Sequence, residues 1–331
     1  MSNVDESLEQ LLSKASPRPV PDDVATAVAR EAVRAEWQAV TGKHRTKKNM
    51  VGFAVAATIL VAVFSLFNQF RVPDTAMVQV ASIQKSFGPI FIVGEQSVLT
   101  RADNLEVIHA GQTIVTGEES GIAFAWAEGG SLRFDANTTV EFRDDDSVYL
   151  HSGRVYFDST PSELISGIDV ADIGSFKIET KYGVVSHVGT QFMTQLESDE
   201  LRVSVREGRV AVVGTYYPGT ALRGQQLKFS GRQRPVVLDI LEYGDAWDWI
   251  GRTSPTIDVD GRSAHEFLDW IGRELGRNIE YSDETMEQLA RKAILKGRVV
   301  DEPAIALRQR MATAAFEWRY EEGTIYVSIS E

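Results

Sequence analysis

The sequence predicts a chain in four parts: a short helical tail (1–42), a basic flank with a single transmembrane helix (43–70), an all-β domain built as a sandwich or irregular barrel (78–240), and a small α+β domain of order βαββαββ (245–331). Three observations carry this prediction. An uncharged apolar run follows a knot of cations. Short alternating apolar stretches separated by glycine turns fill the middle of the chain. Two amphipathic helical stretches are interleaved with strands at the end.

In the tail, "DESLEQLLSKA" puts Leu8, Leu11 and Leu12 on one helical face, and "SPRPVPDD" breaks the helix with prolines. Helical spacing resumes in "DDVATAVAREAVRAEWQAV", with Val24 and Val28, then Ala32, Ala35 and Val40, and Trp37 nearby. Asp22 and Asp23 suit its N-terminus. A piece this small has no core of its own. Its apolar residues, Leu8, Leu11, Leu12, Val24, Val28 and Trp37, are therefore expected to dock on a partner; the plain alternative is a loosely ordered tail ahead of the anchor.

The apolar run opens on Met50 and closes on Phe67 without a charged residue. At about 1.5 Å of rise per residue it reaches roughly 27 Å, close to the ~30 Å of bilayer hydrocarbon. Lys43, His44, Arg45, Lys47 and Lys48 precede it and only Arg71 follows closely. Cations stay on the cytoplasmic side, so the N-terminus is expected inside and the remainder outside. A cleaved signal peptide fits less well, because a long polar stretch precedes the run and no small-x-small site follows it.

The 331 residues are 43% hydrophobic and 24% charged, with a formal net charge of −13, which argues for globular domains and against nucleic acid as a direct partner. The absence of cysteine excludes disulfides, thiolate metal sites and cysteine nucleophiles. The five histidines, His44, His109, His151, His187 and His265, show no metal-ligand spacing. No metal or cofactor is expected.

Within the β domain, "GSLRFDANTTVEF" places Leu132 and Phe134, then Val140 and Phe142, two apart. "ELRVSVREGRVAVVG" alternates likewise around an expected turn at Glu207 and Gly208. Glycine turns recur at Gly111, Gly117, Gly129, Gly130, Gly153 and Gly224, and "STPSELISGIDVADIG" interrupts the pattern as a loop insertion. Asp144, Asp145 and Asp146 lack the glycine and glutamate of a calcium loop and read as a solvated turn.

In the last part, "SAHEFLDWIGRELGR" is a helix capped by Ser263, with Phe267, Ile271 and Leu275 inward and Gly276 as its stop. "NIEYS" and "RKAILKGRVVD" read as strands. "EPAIALRQRMATAA" is a second helix with Pro303 in its first turn and Leu307, Met311 and Ala314 inward, and "FEWRYEEGTIYVSIS" is a hairpin turning at Glu322 and Gly323. "YGDAWDWIGRTSP" reads as the linker before this domain, with Trp247 and Trp249 unplaced.

Several of these segments, in order, resemble the FecR domain. They are "AGQTIVTGEESGIAFAWAEGGSLRFDANTTVEF", "LHSGRVYFD", "IETKYGVVSHVGTQFMTQL", "VSVREGRV" and "LRGQQLKFS", spanning about residues 105 to 232. The most specific piece is the glycine-threonine-x-phenylalanine core, here Gly189, Thr190, Gln191 and Phe192, followed by the acidic-glycine pair ending in Gly208. Gln112, where an acidic residue is common, and the insertion at 160–174 depart from the family. The final segment is similar to the small N-terminal domain of secretins and of signalling TonB-dependent receptors.

The resemblance implies a single-pass protein of the bacterial inner membrane, N-terminus cytoplasmic and C-terminus periplasmic, that relays an envelope signal. Its implied partners are an extracytoplasmic-function (ECF) sigma factor inside and the signalling domain of an outer-membrane TonB-dependent receptor outside. Regulated cleavage is the expected way to release the tail. The resemblance also implies candidate self-cleavage at Gly189–Thr190 by attack of the threonine hydroxyl on the preceding carbonyl; the plain alternative is that Gly189 permits close strand approach and Thr190 is an ordinary strand residue. In a regular strand His187 faces away from Thr190. No nucleophile elbow, phosphate loop or dinucleotide fingerprint is present, so the chain is not expected to be an enzyme acting on another molecule. The alternative function is an envelope scaffold that binds a receptor, secretin-like or polymer partner without controlling transcription.

Overall fold

The computed structural model describes residues 78–93, 99–101, 105–159, 176–299, 302–313 and 316–329, all within one compact unit, Asp74–Glu331. The tail residues Leu8 to Trp37, the basic flank, the run from Met50 to Phe67 and the insertion at 160–174 lie outside the described residues. Among the described residues no helix is long and apolar enough to cross a membrane.

The β domain opens with β1 (Gln79–Phe87), β2 (Ile90–Val93), β3 (Leu99–Arg101), β4 (Val107–His109), β5 (Thr113–Thr116), β6 (Gly121–Trp126), β7 (Ser131–Phe134) and β8 (Thr139–Phe142). It continues with β9 (Ser147–Asp158), β10 (Lys177–Thr180), β11 (Gly183–Glu197), β12 (Glu200–Gly214), β13 (Gly219–Leu222), β14 (Gln225–Ser230) and β15 (Val236–Asp239). These strands form one hydrogen-bonded network that branches into two ladders. The first half of β9 pairs with β8 and, in parallel, with β10; its second half pairs with β7 and β11. From β8 one ladder runs through β5 and β2 to β3, and from β7 the other runs through β6 and β1 to β4.

The ladders are joined by aromatic packing. Phe142 of β8 lies 5.4 Å from Phe124 of β6 and 5.8 Å from Phe134 of β7, while Trp126 stacks on Phe142 at 5.9 Å. Leu132, Phe134, Val140 and Phe142 are all fully buried, as their alternation requires. Burying each ring removes it from water and stabilises by about 2–3 kcal/mol.

β9, β11 and β12 serve both ladders because each bends at a glycine with positive φ: Gly153 (97°), Gly189 (55°) and Gly208 (76°). This corrects the turn expected at Glu207 and Gly208. The strand does not reverse there. It continues as the single 15-residue strand β12, and the actual reversal between β11 and β12 lies at Ser198 and Asp199. A glycine in the left-handed region inserts a bulge without ending the ladder.

The end domain holds α1 (Asp248–Thr253), β16 (Ile257–Asp258), α2 (Ala264–Leu275), β17 (Asn278–Tyr281), α3 (Glu284–Lys292), β18 (Arg298–Val299), α4 (Pro303–Thr313), β19 (Phe316–Glu321) and β20 (Thr324–Ile329). From β16 onward the order is βαβαβαββ rather than βαββαββ, with the strands divided between a pair, β16–β18, and a three-stranded sheet, β17-β20-β19. The added helix is α3. Asp283 caps it by accepting from the Met286 N–H at 2.9 Å, Met286 and Ala290 face inward, and Glu287 pairs with Arg291 one turn on. The expected strand over "RKAILKGRVVD" shrinks to a single bridge at Ile294 and the two residues of β18. α2 carries a full capping box between Ser263 and Glu266 and stops at Gly276 in the left-handed conformation.

Candidate functional site

Two features stand out, the glycine corner and the joint between the β domain and the end domain. At the corner, Val188 pairs with Arg209 and Gln191 with Glu207, so Gly189 and Thr190 together oppose Gly208. A Cβ on Gly208 would lie 2.2 Å from the Gly189 carbonyl oxygen and 2.7 Å from Thr190 Cγ2. Only glycine fits there, on grounds of both φ and space. Thr190 is fully buried. Its N–H donates to Ser159 Oγ at 2.7 Å, and the Ser159 N–H donates to its carbonyl at 3.0 Å, which pins the corner to the end of β9. The Thr190 hydroxyl has no hydrogen-bond partner among the described residues.

The bulge also resets the side-chain alternation. The His187 ring lies 5.5 Å from Phe192 and 5.0 Å from Phe157, inside the aromatic cluster. Burial pushes its pKa down to about 4, and neither ring nitrogen has a partner among the described residues. His187 and the Thr190 hydroxyl therefore make no hydrogen bond to each other, and the imidazole is neutral at ordinary pH. Asp144 and Asp146 form the turn expected of them: Asp144 accepts from Ser147 Oγ at 2.6 Å, and Asp146 pairs with Lys177 at 2.6 Å.

The joint is built on the outer face of β7, β9, β11 and β12. Trp247, Trp249 and Ile250 cover Tyr156 and Met193 as a separate apolar cluster. This corrects the reading of "YGDAWDWIGRTSP" as a linker, because the segment is packed structure that seals the two domains together. Around this cluster lies a ring of charge. Arg133 reaches α2 and grips Glu274 with both nitrogens, at 2.6 and 2.8 Å, and donates to the Ile250 carbonyl at 3.2 Å. Both side chains are out of contact with water, at 0% and 3% exposure. Desolvation alone lowers the pKa of the Arg133 guanidinium, but the Glu274 carboxylate, with Tyr156 and Asp158 nearby, more than offsets it and the net shift is upward.

Arg206 stacks on the Trp247 ring at 4.4 Å and donates to the Glu242 carbonyl at 2.7 Å and the Glu274 carbonyl at 3.1 Å. Arg273 holds the buried Asp158 through its Nε at 3.0 Å and Glu207 through Nη1 at 2.8 Å, and Gln191 Nε2 donates to the same aspartate at 3.0 Å. Gln191, next to the corner, thereby connects the corner to the joint. The Tyr156 hydroxyl is pushed well up, first by burial and then by Asp158. The arrangement offers fixed charge pairs rather than an acid, a base and a nucleophile around a substrate space. Its chemistry is that of holding two domains in register.

Of the residues predicted from sequence, Gly189, Thr190, Phe192 and Gly208 come together at the corner, with Phe192 buried in the core below it. Sequence reasoning missed Arg133, Asp158, Arg206, Arg273 and Glu274. The available signal was the pair of unplaced tryptophans, which had to cover something.

A branched β domain with corner glycines, locked to a small α+β domain, defines a two-domain β-rich module. The "FecR protein" family model matches residues 112–211, from the start of β5 into β12. No curated protein matches the chain. Two crystal structures of a "putative anti-sigma factor" from Parabacteroides distasonis ATCC 8503, at 1.65 and 2.50 Å resolution, are similar to it, with 15% and 16% identity. Each comparison covers 66% of this chain and 99% of the other, with a TM-score of 0.33.

Proposed function

We propose that this chain is a single-pass regulator of an ECF sigma factor in the bacterial inner membrane. The observation that carries the reading is the FecR domain over residues 112–211. The charge asymmetry about the run from Met50 to Phe67 independently supports a cytoplasmic N-terminus and a periplasmic remainder. Leu8, Leu11, Leu12, Val24, Val28 and Trp37 then meet the sigma factor. The end domain meets the signalling domain of a TonB-dependent receptor by strand addition at the open edge of β17 or β19. The joint suits this role: a load placed on the end domain passes through Arg133 and Glu274 directly to the strands of the FecR domain.

Two experiments test the reading. A periplasm-dependent reporter fused after Glu331 is expected to be active, and activity from a cytosol-dependent reporter at the same junction instead overturns the topology. Deleting residues 1–42 is expected to change transcription of a target set, and an unchanged transcript profile overturns sigma-factor regulation and leaves the scaffold function.

Cleavage at Gly189–Thr190 belongs to the same proposal. The Thr190 oxygen adds to the Gly189 carbonyl carbon, the amide C–N bond breaks as its nitrogen takes up a proton, and water hydrolyses the resulting ester to two chains. The left-handed Gly189 and the unpartnered, buried Thr190 hydroxyl favour it. Full-length protein is expected to run as two bands on a denaturing gel and Thr190→Ala as one; a single intact band from both removes this step.

A further inference from the structure

The chain carries a formal net charge of −13, yet a hollow of about 160 Å³ at the seam of the two domains is walled by four arginines, Arg206, Arg223, Arg273 and Arg277, and only two glutamates, Glu207 and Glu242. Two of the arginines are neutralised. Arg223 holds Glu242 bidentately at 2.8 and 2.7 Å, and Arg273 holds Asp158 and Glu207. The other two are not: among the described residues neither Arg206 nor Arg277 forms an ion pair with a carboxylate.

Both are nevertheless held in place. Arg206, 3% exposed, lies between the Trp247 ring and Gly276, where a Cβ would come within 2.5 Å of its Nε. Its guanidinium donates to the backbone carbonyls of Glu242 and Glu274 and hydrogen-bonds the Tyr156 side chain, so it is fixed but not neutralised. Arg277 stands between two rings, 4.3 Å from the centroid of Tyr243 and 4.5 Å from that of Tyr320, and its side chain makes no hydrogen bond among the described residues. Stacking holds a guanidinium by its faces and leaves its N–H edge to a ligand, and oxyanions match that edge two atoms to two. Ordering the side chains beforehand removes much of the entropic cost of binding.

We propose that this hollow is an oxyanion site, taking a phosphate or carboxylate group on the N–H edge of Arg277 beside the fixed charge of Arg206. Its walls come from both domains, with Gln191, Arg206 and Arg223 on one side and Arg273, Arg277 and Asn278 on the other. An occupant therefore draws the seam together, and anion binding stabilises the joint. The inference does not depend on the sigma-factor reading.

The test is calorimetric titration of the purified full chain in detergent, with inorganic phosphate in one arm and acetate in the other, at ionic strength held constant with chloride. Saturable binding in at least one arm is expected, together with a rise in Tm. Phosphate alone identifies a phosphate ligand. Acetate alone identifies a carboxylate, such as one offered by a partner protein. Arg277→Met keeps an unbranched side chain between the tyrosines but loses the N–H edge, and is expected to weaken binding by about tenfold or more. Arg252→Met, outside the hollow, is expected to change nothing. Asn278→Asp, an exposed substitution that adds repulsion at the rim, is expected to weaken binding similarly and serves if Arg277→Met does not fold. No saturable binding of either anion, or unchanged binding in Arg277→Met or Asn278→Asp, overturns the proposal.

Discussion

Between the ladders of the β domain, Phe134 and Phe157 meet other rings, whereas the residues beside them on the same strands, Arg133 and Asp158, turn outward to meet Glu274 and Arg273 of the end domain. Alternation along β7 and β9 thus serves two interiors of opposite chemistry. The aromatic interior is non-directional. A lost methylene costs its transfer energy and a cavity, and neighbours partly relax. The charged interior is directional and pairwise. Removing one partner leaves the other buried without compensation, which costs more than the pair contributes.

The largest effect is expected where the two interiors adjoin. Gly208→Val places side-chain atoms on the Gly189 carbonyl and forces a β-branched residue to φ 76°. A loss of about 4 kcal/mol or more in denaturant unfolding is expected; a loss under about 1 kcal/mol would mean that the corner does not hold the ladders together. Next comes Glu274→Ala, which strands the buried Arg133 and is expected to cost about 3–5 kcal/mol. The comparison sharpens with the double variant Arg133→Met/Glu274→Leu, which is expected to recover to within about 1 kcal/mol of the parent. If the double variant is no better than Glu274→Ala, pairing is not what the joint depends on.

His187 brings a pH dependence to the aromatic side. Its folded pKa, about 4, lies below the ordinary 6.5. Above pH 6.5 both states are neutral there. As pH falls from 6.5 toward 4 the unfolded chain takes a proton that the folded chain refuses, so stability is lost across that window, by on the order of 3 kcal/mol. His187→Phe is expected to flatten this part of the stability–pH curve, and an unchanged curve would show that the ring is not shut in with Phe157 and Phe192. The smallest effect belongs to neither interior: Ser263→Ala, which removes half of the capping box of α2, is expected to cost about 1 kcal/mol in the same unfolding measurement.

What could be read in the sequence follows the same division. Leu132, Phe134, Val140 and Phe142 announce buried strand faces because alternation is a local signal, and Ser263 and Gly276 mark both ends of α2 for a similar reason. α3 leaves a signal in the sequence, Asp283 as cap with Met286 and Ala290 one turn apart, but Ile294 and Leu295 beside it give a strand-like apolar signal that belongs to the bridge and loop beyond. The bend at Gly208 was misread because an acidic-glycine pair signals a reversal as readily as a bulge. The joint was not legible, since Arg133 between Leu132 and Phe134 looks like any solvent-facing strand position. Its partner Glu274 lies 141 residues away and looks like the polar side of a helix.

The passage of β9, β11 and β12 through both ladders bears on what a cut at the corner would accomplish. Residues 191–196, just after the new N-terminus at Thr190, would still lie between β9 of the upstream fragment and their own neighbour β12. Scission there would leave two polypeptides woven into one fold. A nicked molecule would then look whole until denaturant, or a force applied through the end domain, unpicked the weave.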